Sequence, residues 1–286
     1  DWRDWWCSED ARVYQFIGQD NIYFYCVAQP ALWDALDWGL VQDTPIANYH
    51  ILFMNKKASS SGAIKPPMAA ELLDVYTPEQ LRAHWLSLGL DQKAVSFNPK
   101  PFDTSVSHKD KKTGEEVLVK DDPRIVDPAL KESAFLTNIF NRLARSCFYG
   151  AANVCDAHLP QVAPHAEVME ACRRATLEFE RLAHGFDAHG ALAVAEELCR
   201  QENKRWDDAS KAAKGDDAAY EQALADAFCA LRTVTLLMHP AVPSGCEKIC
   251  EHMGFGAEDF FSWKHAFDGP VELAATLGQM PVEHAI

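Results

Sequence analysis

The spacing of apolar positions changes along this chain, and the changes divide it into three stretches. Val13 to Ile17 form a short β-rich run that stops at Gly18. Over 21–36 the apolar residues Ile22, Phe24, Val27, Ala28, Ala31, Leu32 and Ala35 recur at helical spacing, with Pro30 as an expected kink. Residues 46–54 then read as a buried strand. Strand, helix and strand in this order predict the tail of a parallel βαβ sheet, where ligands sit beyond the carboxyl ends of the strands. Two short helices are expected over 68–75 and 77–88, the second opening on Thr77-Pro78-Glu79-Gln80 with an N-cap, a proline at its first position and acid in its first turn. From 97 to 127 prolines and Gly114 break every period, and a hairpin is expected around Lys111-Lys112-Thr113-Gly114. Beyond that point helical stripes dominate over 129–148, 168–185, 188–206, 218–239 and 244–253, separated by glycine and proline.

The pattern gives a fold class: mainly α with a partial α/β. It predicts the C-terminal part of a Rossmann-type parallel sheet over 1–67, a small connecting module over 68–125, and an antiparallel helical bundle over 126–286. A chain of 286 residues with 48% hydrophobic content has room for such a core. No apolar run reaches the ~18–20 residues needed to span a bilayer, and no signal-peptide pattern opens the chain, so a cytoplasmic protein without a membrane partner is expected. The opening Asp1-Trp2-Arg3-Asp4-Trp5-Trp6 is rich in aromatics that want burial, which suggests a piece of a larger protein.

Nine cysteines, an odd number with no Cys-x-x-Cys pair, fit reduced thiols in apolar stripes. Cys246, Cys250 and His252 lack a clear fourth ligand, so no zinc and no other metal site is expected. The net charge of −15 argues against attraction of nucleic acid to the whole surface. It leaves room for a local basic site, and the lysines between Lys93 and Lys120 are either that or an exposed hairpin tip.

The candidate chemistry lies in Asn55-Lys56-Lys57-Ala58-Ser59-Ser60-Ser61-Gly62, directly after the second predicted strand. A lysine and a row of hydroxyls on a small-residue loop can clamp phosphate, although the same composition also makes a solvated linker. Upstream, Gly18-Gln19-Asp20 falls at the end of the first predicted strand. Asp20 there reads as a helix N-cap, as an acceptor for ligand hydroxyls, or as both. In the helical half, Asn138, Asn141, Arg142, Arg145 and Tyr149 share one helix face opposite an apolar stripe of Leu136, Phe140, Leu143 and Cys147. That face is either simply solvated or a platform for unpaired bases.

Taken together these blocks resemble the class I aminoacyl-tRNA synthetases, and within them the methionyl enzymes most closely. Phe16-Ile17-Gly18-Gln19-Asp20-Asn21-Ile22-Tyr23-Phe24-Tyr25, followed by Gln29-Pro30-Ala31-Leu32, is similar to that family's Phe-Ile-Gly-Lys-Asp-x-x-x-Phe-His block and its Trp-Pro-Ala-Met-Leu continuation. Lys57-Ala58-Ser59-Ser60-Ser61 is similar to the signature Lys-Met-Ser-Lys-Ser, and Leu81-Arg82-Ala83-His84-Trp85 to the Leu-Arg-Tyr-Tyr of the connecting module. Asn141-Arg142 and Trp206 also have counterparts. The resemblance covers nearly the whole chain, as the C-terminal half of such an enzyme.

The resemblance implies ATP-dependent activation of methionine and transfer to tRNA. ATP with Mg2+ would be the cofactor, and methionine, tRNA (of the methionine type) and a missing N-terminal catalytic half the partners. It implies that Lys57, with Ser59, Ser60 and Ser61, stabilises the leaving pyrophosphate, and that Gly18 and Asp20 hold the adenosine end. Phe24 and Tyr25 would wall the amino-acid pocket, though Phe24 equally reads as a plain core residue. Asn141, Arg145 and Trp206 would meet the anticodon, with the Trp206 indole stacking an unpaired base. Tyr25 stands where the family has histidine, Gln29 where it often has tryptophan and Ser60 where it has a second lysine. The family's His-x-Gly-His motif and zinc insertion are absent from the sequence, so the chain alone is expected to form no adenylate. A non-catalytic tRNA-binding module, or a synthetase for another small apolar or thiol amino acid, stays open as an alternative.

Overall fold

A computed structural model describes residues 1–37, 43–53, 55–57, 66–98, 107–109, 113–118 and 130–277. The chain forms two compact units, one of Asp1–Met68 with Leu88–Asn98 and one of Ala69–Ser87 with Pro99–Ile286.

In the first unit, α1 (Trp2–Trp6) is closed at its start by an Asp1 capping box. Strands β1 (Val13–Gly18) and β2 (Asp43–Asn48) run parallel, Val13 opposite Asp43 and Gly18 opposite Asn48, as the sequence pattern predicts. Gln15 donates to the Asp43 carboxylate across this pair, which helps to fix the register. The crossover is helical. A 3-10 turn (Gln19–Asn21) leads through a π turn (Phe24–Ala28) into α2 (Gln29–Ala35). Proline has no N–H to give the preceding turn, and its ring crowds the carbonyl four residues back. The wider π turn directly before Pro30, closed by Gln29 N–H donating to the Phe24 carbonyl, meets that demand. Trp6 of α1 packs edge-on to Trp33 of α2 at 5.4 Å.

The predicted strand over 46–54 is corrected by the structure. It breaks after Asn48, where Tyr49 N–H donates to the Leu90 carbonyl at 2.7 Å. The chain resumes as β3 (Ile51–Phe53), which pairs in parallel with β4 (Val95–Phe97). A continuous apolar run does not reveal that its two ends find different partners. Strand β4 escaped the sequence reading because three residues carry no period.

The second unit begins with α3 (Ala69–Leu73) and α4 (Pro78–Leu86), the latter closed by the expected Thr77 cap with a reciprocal hydrogen bond from Thr77 N–H to Gln80. Strands β5 (Ser107–Lys109) and β6 (Glu116–Leu118) pair antiparallel, with Gly114 between them at φ +74°. Lys111 and Lys112, which belong to the expected hairpin tip, lie outside the described residues, as does the expected boundary near residue 125. Helix α5 (Lys131–Phe135), a π turn (Leu136–Phe140) and α6 (Asn141–Val154) form one helical run. Then come α7 (Ala166–His184), α8 (Ala188–Ala212), α9 (Asp217–Met238), α10 (Pro243–His252), α11 (Ala257–Phe260) and α12 (Pro270–Leu277). Helix α8 runs past the predicted end at Trp206 because no glycine or proline follows until Gly215.

Helix α9 is the axis of this unit, buried at every position from Ala223 to Met238. A helix apolar all round belongs inside, and α6, α7, α8, α10 and α12 pack on it. Its threonines are satisfied locally: Thr235 donates to the Leu231 carbonyl at 2.6 Å and Thr233 to that of Cys229 at 3.3 Å. The Arg232 guanidinium lies 4.2 Å over the Phe260 ring and donates to the His265 carbonyl at 3.1 Å. Burial pulls its pKa down to about 10. Cys246 and Cys250 on α10 are buried thiols, and burial pushes Cys250 up to about 12.

Candidate nucleotide site and candidate nucleic-acid pocket

Strand β1 delivers Gly18 to its carboxyl end, and the chain turns at once into the 3-10 segment that carries Asp20. A side chain at Gly18 would bring its Cβ within 2.9 Å of Asp20 Oδ1, so the carboxylate would have to turn aside to admit it. At the end of β3, in the separate β3–β4 pair, the chain folds back at Phe53 and Lys56, which exchange two backbone hydrogen bonds of 2.9 Å. Asn55 takes the left-handed conformation inside this turn, φ +62°, and its N–H donates to Ser96 Oγ at 2.7 Å. The Ser96 hydroxyl in turn donates to Asn98 Oδ1 at 2.7 Å. Lys57 leaves this braced turn directly.

The result is a small charged cluster. Lys57 Nζ stands 3.8 Å from Asp20 Oδ2, and His50 Nε2 stands 4.0 Å from Asp20 Oδ1. Both sides of the Lys57–Asp20 pair remain more than half exposed, so solvent screens their attraction and the pair adds little to stability. Its geometry suits ligand capture instead: an ammonium for phosphate oxygens beside a carboxylate for hydroxyls. Ser59, Ser60 and Ser61 lie outside the described residues. His50 was missed in the sequence reading, which looked for a His-x-Gly-His setting. Its only signal was its place just beyond the end of β2.

Phe24 and Tyr25, the expected walls of an amino-acid pocket, stand on the π turn. Phe24 is 60% exposed and meets Tyr23 edge-on at 5.6 Å, so it is not the plain core residue that its periodicity also allowed. Among the described residues no group of three His, Cys, Asp or Glu side chains converges as metal ligands would.

In the helical unit, α6 presents Asn141, Arg145 and Tyr149 to a cavity of about 460 Å³ that Trp206 of α8 and Tyr220 of α9 also line. The structure thus brings the three residues expected at an anticodon site to one pocket. It corrects the expectation for Trp206, however. The indole is only 6% exposed and rests edge-on against Tyr220 at 5.4 Å, so it forms the pocket's inner wall, not an open stacking surface. Trp206 continues the buried stripe of α8 formed by Leu192, Ala195, Leu198 and Cys199, and that burial is worth more than presentation to water. The exposed ring is that of Tyr149, with the Arg145 guanidinium 5.8 Å from its centroid. Arg142 is engaged by both Asp207 carboxylate oxygens at 2.7 and 2.8 Å, whereas Arg145 has no carboxylate partner among the described residues. Tyr220 carried no signal in the sequence, because nothing there places α9 against α6.

Comparison with known proteins finds likenesses in sequence and in fold. Residues 1–109 match the family model described as tRNA synthetases class I (M). The methionine–tRNA ligase of Methanoculleus marisnigri is 24% identical over 263 residues, 90% of this chain and 35% of that protein. That of Methanospirillum hungatei is 24% identical over 264 residues, 89% of this chain and 34% of its own. The chain therefore spans about a third of the length of these relatives. In fold it is similar to the crystal structure of Mycobacterium tuberculosis methionyl-tRNA synthetase bound by methionyl-adenylate. The TM-score is 0.73 at 18% identity, covering 97% of this chain and 50% of that one.

Proposed function

We propose that this chain, whose first 109 residues match the family model of class I tRNA synthetases, is the C-terminal portion of a methionine–tRNA ligase. Its share of the work is to bind ATP's phosphates and the tRNA anticodon. The reading keeps the division foreseen from the sequence: the end of a Rossmann-type domain over 1–67, a connecting module over 68–125 and an antiparallel anticodon-binding bundle over 126–286. The observation that carries it is the approach of Lys57 to Asp20 at the carboxyl end of a parallel strand pair.

In such an enzyme the methionine carboxylate attacks the α-phosphate of ATP in line, and negative charge grows on the departing pyrophosphate. Lys57, on an exposed turn, can follow that charge and bind it more strongly in the transition state than in the ground state. Ser59, Ser60 and Ser61 add hydroxyl donors to the same loop. Gly18 lets the nucleotide approach the backbone, and Asp20 accepts from ribose hydroxyls. His50 stands 4.0 Å from the other carboxylate oxygen, beyond hydrogen-bond reach but close enough to add to the polar surroundings of Asp20. Phe24 and Tyr25 offer aromatic faces to a thioether. Mg2+ would arrive with the triphosphate, held by its oxygens and by water, as is usual where a site offers few carboxylates.

In the bundle, the pocket of about 460 Å³ is large enough for one flipped-out base. Tyr149 and Arg145 give it a π face and a cation, Asn141 an amide for base edges, and Trp206 closes it from inside.

ATP–pyrophosphate exchange with methionine tests the catalytic part. The chain alone is expected to be silent. A longer protein that adds the first half of the nucleotide fold is expected to exchange, and Lys57→Ala in that protein to lose about 10²–10³-fold. Turnover by the chain alone, or full activity of the Lys57 variant, overturns the assignment.

A further inference from the structure

We propose that the cleft between α4, the Leu136–Phe140 π turn, α6 and α10 is a second nucleotide pocket. It takes the base that neighbours, along one unpaired RNA strand, the base held beside Trp206, an assignment that rests on the anticodon reading of the bundle and extends it to a face which that reading leaves unused. The cleft measures about 650 Å³, within the range of ligand pockets. Thr137, Asn141 and Arg145, four residues apart on one helical run, line both this cleft and the pocket of about 460 Å³. They form a ridge with a cavity on each side. A strand that crosses the ridge lays successive bases in the two cavities and their linking phosphate near the Arg145 guanidinium.

The ridge is locally unusual. Its helix widens over Leu136–Phe140 to a π turn, with the Asn141 N–H donating to the Leu136 carbonyl. In the first unit such a turn is explained by Pro30, but no proline stands within 131–154. Turns of this kind recur where a helix meets a ligand, and this one brings Leu136, Thr137 and Phe140 to the cleft. Charge points the same way. Neither Arg145 on the ridge nor Lys248 on the α10 rim has a carboxylate partner among the described residues, so both are left for phosphate. Of the carboxylates on the wall, Glu79 is taken up by the Gly245 N–H at 3.0 Å. Glu251, exposed three residues on from Lys248, works against an anion.

The floor of the cleft is apolar, formed by Leu136, Phe140, Ala144, Phe148, Val242 and Ile249. Above it stand groups suited to a base edge. The His252 Nδ1–H donates to the Lys248 carbonyl at 2.7 Å, which leaves Nε2 of the neutral imidazole as an acceptor, and the ring lies 5.6 Å from that of Phe148. Gln80 accepts the Thr77 N–H through Oε1 and so keeps its amide NH2 as a donor. A nucleobase carries donors and acceptors on its edge and a π face on an apolar ring, and it matches both layers. The apolar face of a protein helix would match the floor and leave the imidazole and the amide unpaired.

The test uses the whole chain and a labelled anticodon stem-loop of a methionine tRNA, with its loop nucleotides made abasic one at a time and affinity read by fluorescence anisotropy. Two neighbouring abasic positions are expected to weaken binding, each about tenfold or more. One of these losses should vanish in Tyr149→Ala, and the loss at its neighbour in His252→Ala. Lys248→Ala should lower the slope of log affinity against log salt by about 0.7, the share of one phosphate on a single strand. Lys248 is exposed, so this variant decides the question should His252→Ala fail to fold. If Tyr149→Ala weakens the intact loop while both α10 variants leave it unchanged, the second pocket is overturned and the anticodon reading stands. A loop that does not bind, or binds without regard to Tyr149 and to every loop base, overturns both.

Discussion

In the unit that carries Lys57, the buried apolar side chains among the described residues are Ile17 and Phe97, while Tyr14, Phe16, Tyr23, Phe24, Val27 and Leu32 stand exposed. In the helical unit the pattern is reversed: buried apolar side chains run from Leu72 to Leu273, and α9 is buried over sixteen consecutive positions. The first region is the richer of the two in large hydrophobics. They differ in what those side chains have to pack on. A two-stranded parallel pair offers few faces, and parallel sheets are ordinarily covered on both sides. The helical unit encloses its own axis. A site on the first region is therefore built from backbone turns and exposed side chains, and a site on the second is carved out of a core.

Trp206 sharpens this contrast most. If it were a surface platform, Trp206→Ala would leave stability nearly unchanged and affect only tRNA binding. As a 6%-exposed wall against Tyr220 it belongs to the core. The variant is expected to lose about 4 kcal/mol of unfolding free energy in urea titration, within the ~3–5 kcal/mol typical of such truncations. An unchanged midpoint would move Trp206 back to the surface.

How much of this was legible beforehand follows from the kind of signal each element leaves. Helices α6 to α9 were readable because their stripes run for many turns and sequence punctuation separates them. The Thr77 cap was readable because capping is local chemistry. The short strands β3 and β4 were not, since a three-residue strand exists only through its partner. At the sites, Asp20 and Lys57 were found through their motifs. His50 and Tyr220 were not, because each is defined by a long-range neighbour that leaves no trace in local sequence.

The next test sits on α4 and α5, where His84 Nδ1 and Glu132 Oε2 meet at 2.8 Å, both buried. Burial pushes the Glu132 carboxyl up, but the hydrogen bonds from His84, its own backbone N–H and Ser87, with the His84 charge, outweigh it and leave it below 4.5. A carboxyl held down in the folded state stabilises above its unfolded value, and that stability drains as pH falls through the folded one. His84→Ala leaves a buried carboxylate without its imidazole, at a cost of about 3 kcal/mol at neutral pH. The variant's loss relative to the parent should shrink in acid, as Glu132 is protonated in both. A pH-independent difference in urea midpoints would show that packing alone is at stake. No exposed pair in the first unit, Lys57–Asp20 included, is expected to show comparable coupling.

Gly150 probes the same packing at smaller scale. A Cβ there would lie 2.6 Å from Leu224 Cδ2, itself fully buried on α9. Gly150→Ala gains helix propensity but forces Leu224 to move, for a net loss of about 1–2 kcal/mol. A thermal midpoint equal to or above the parent's would show that α6 and α9 have slack.

The smallest effect is expected where the side chain is largest to the eye. Phe16 is 67% exposed on β1, one residue before the buried Ile17, and the alternation of the strand points it away from that residue. In this chain Phe16→Ser should change stability by less than about 0.5 kcal/mol, as surface substitutions do. In a longer protein that adds the first half of the nucleotide fold, the same change should cost more, because a sheet with further strands and covering helices gives Phe16 something to pack against. The two measurements must differ for the contrast between the regions to hold. Equal and negligible losses in both proteins would mean that the exposed aromatics belong to a ligand surface, and equal, large losses would mean that the first unit has a core of its own.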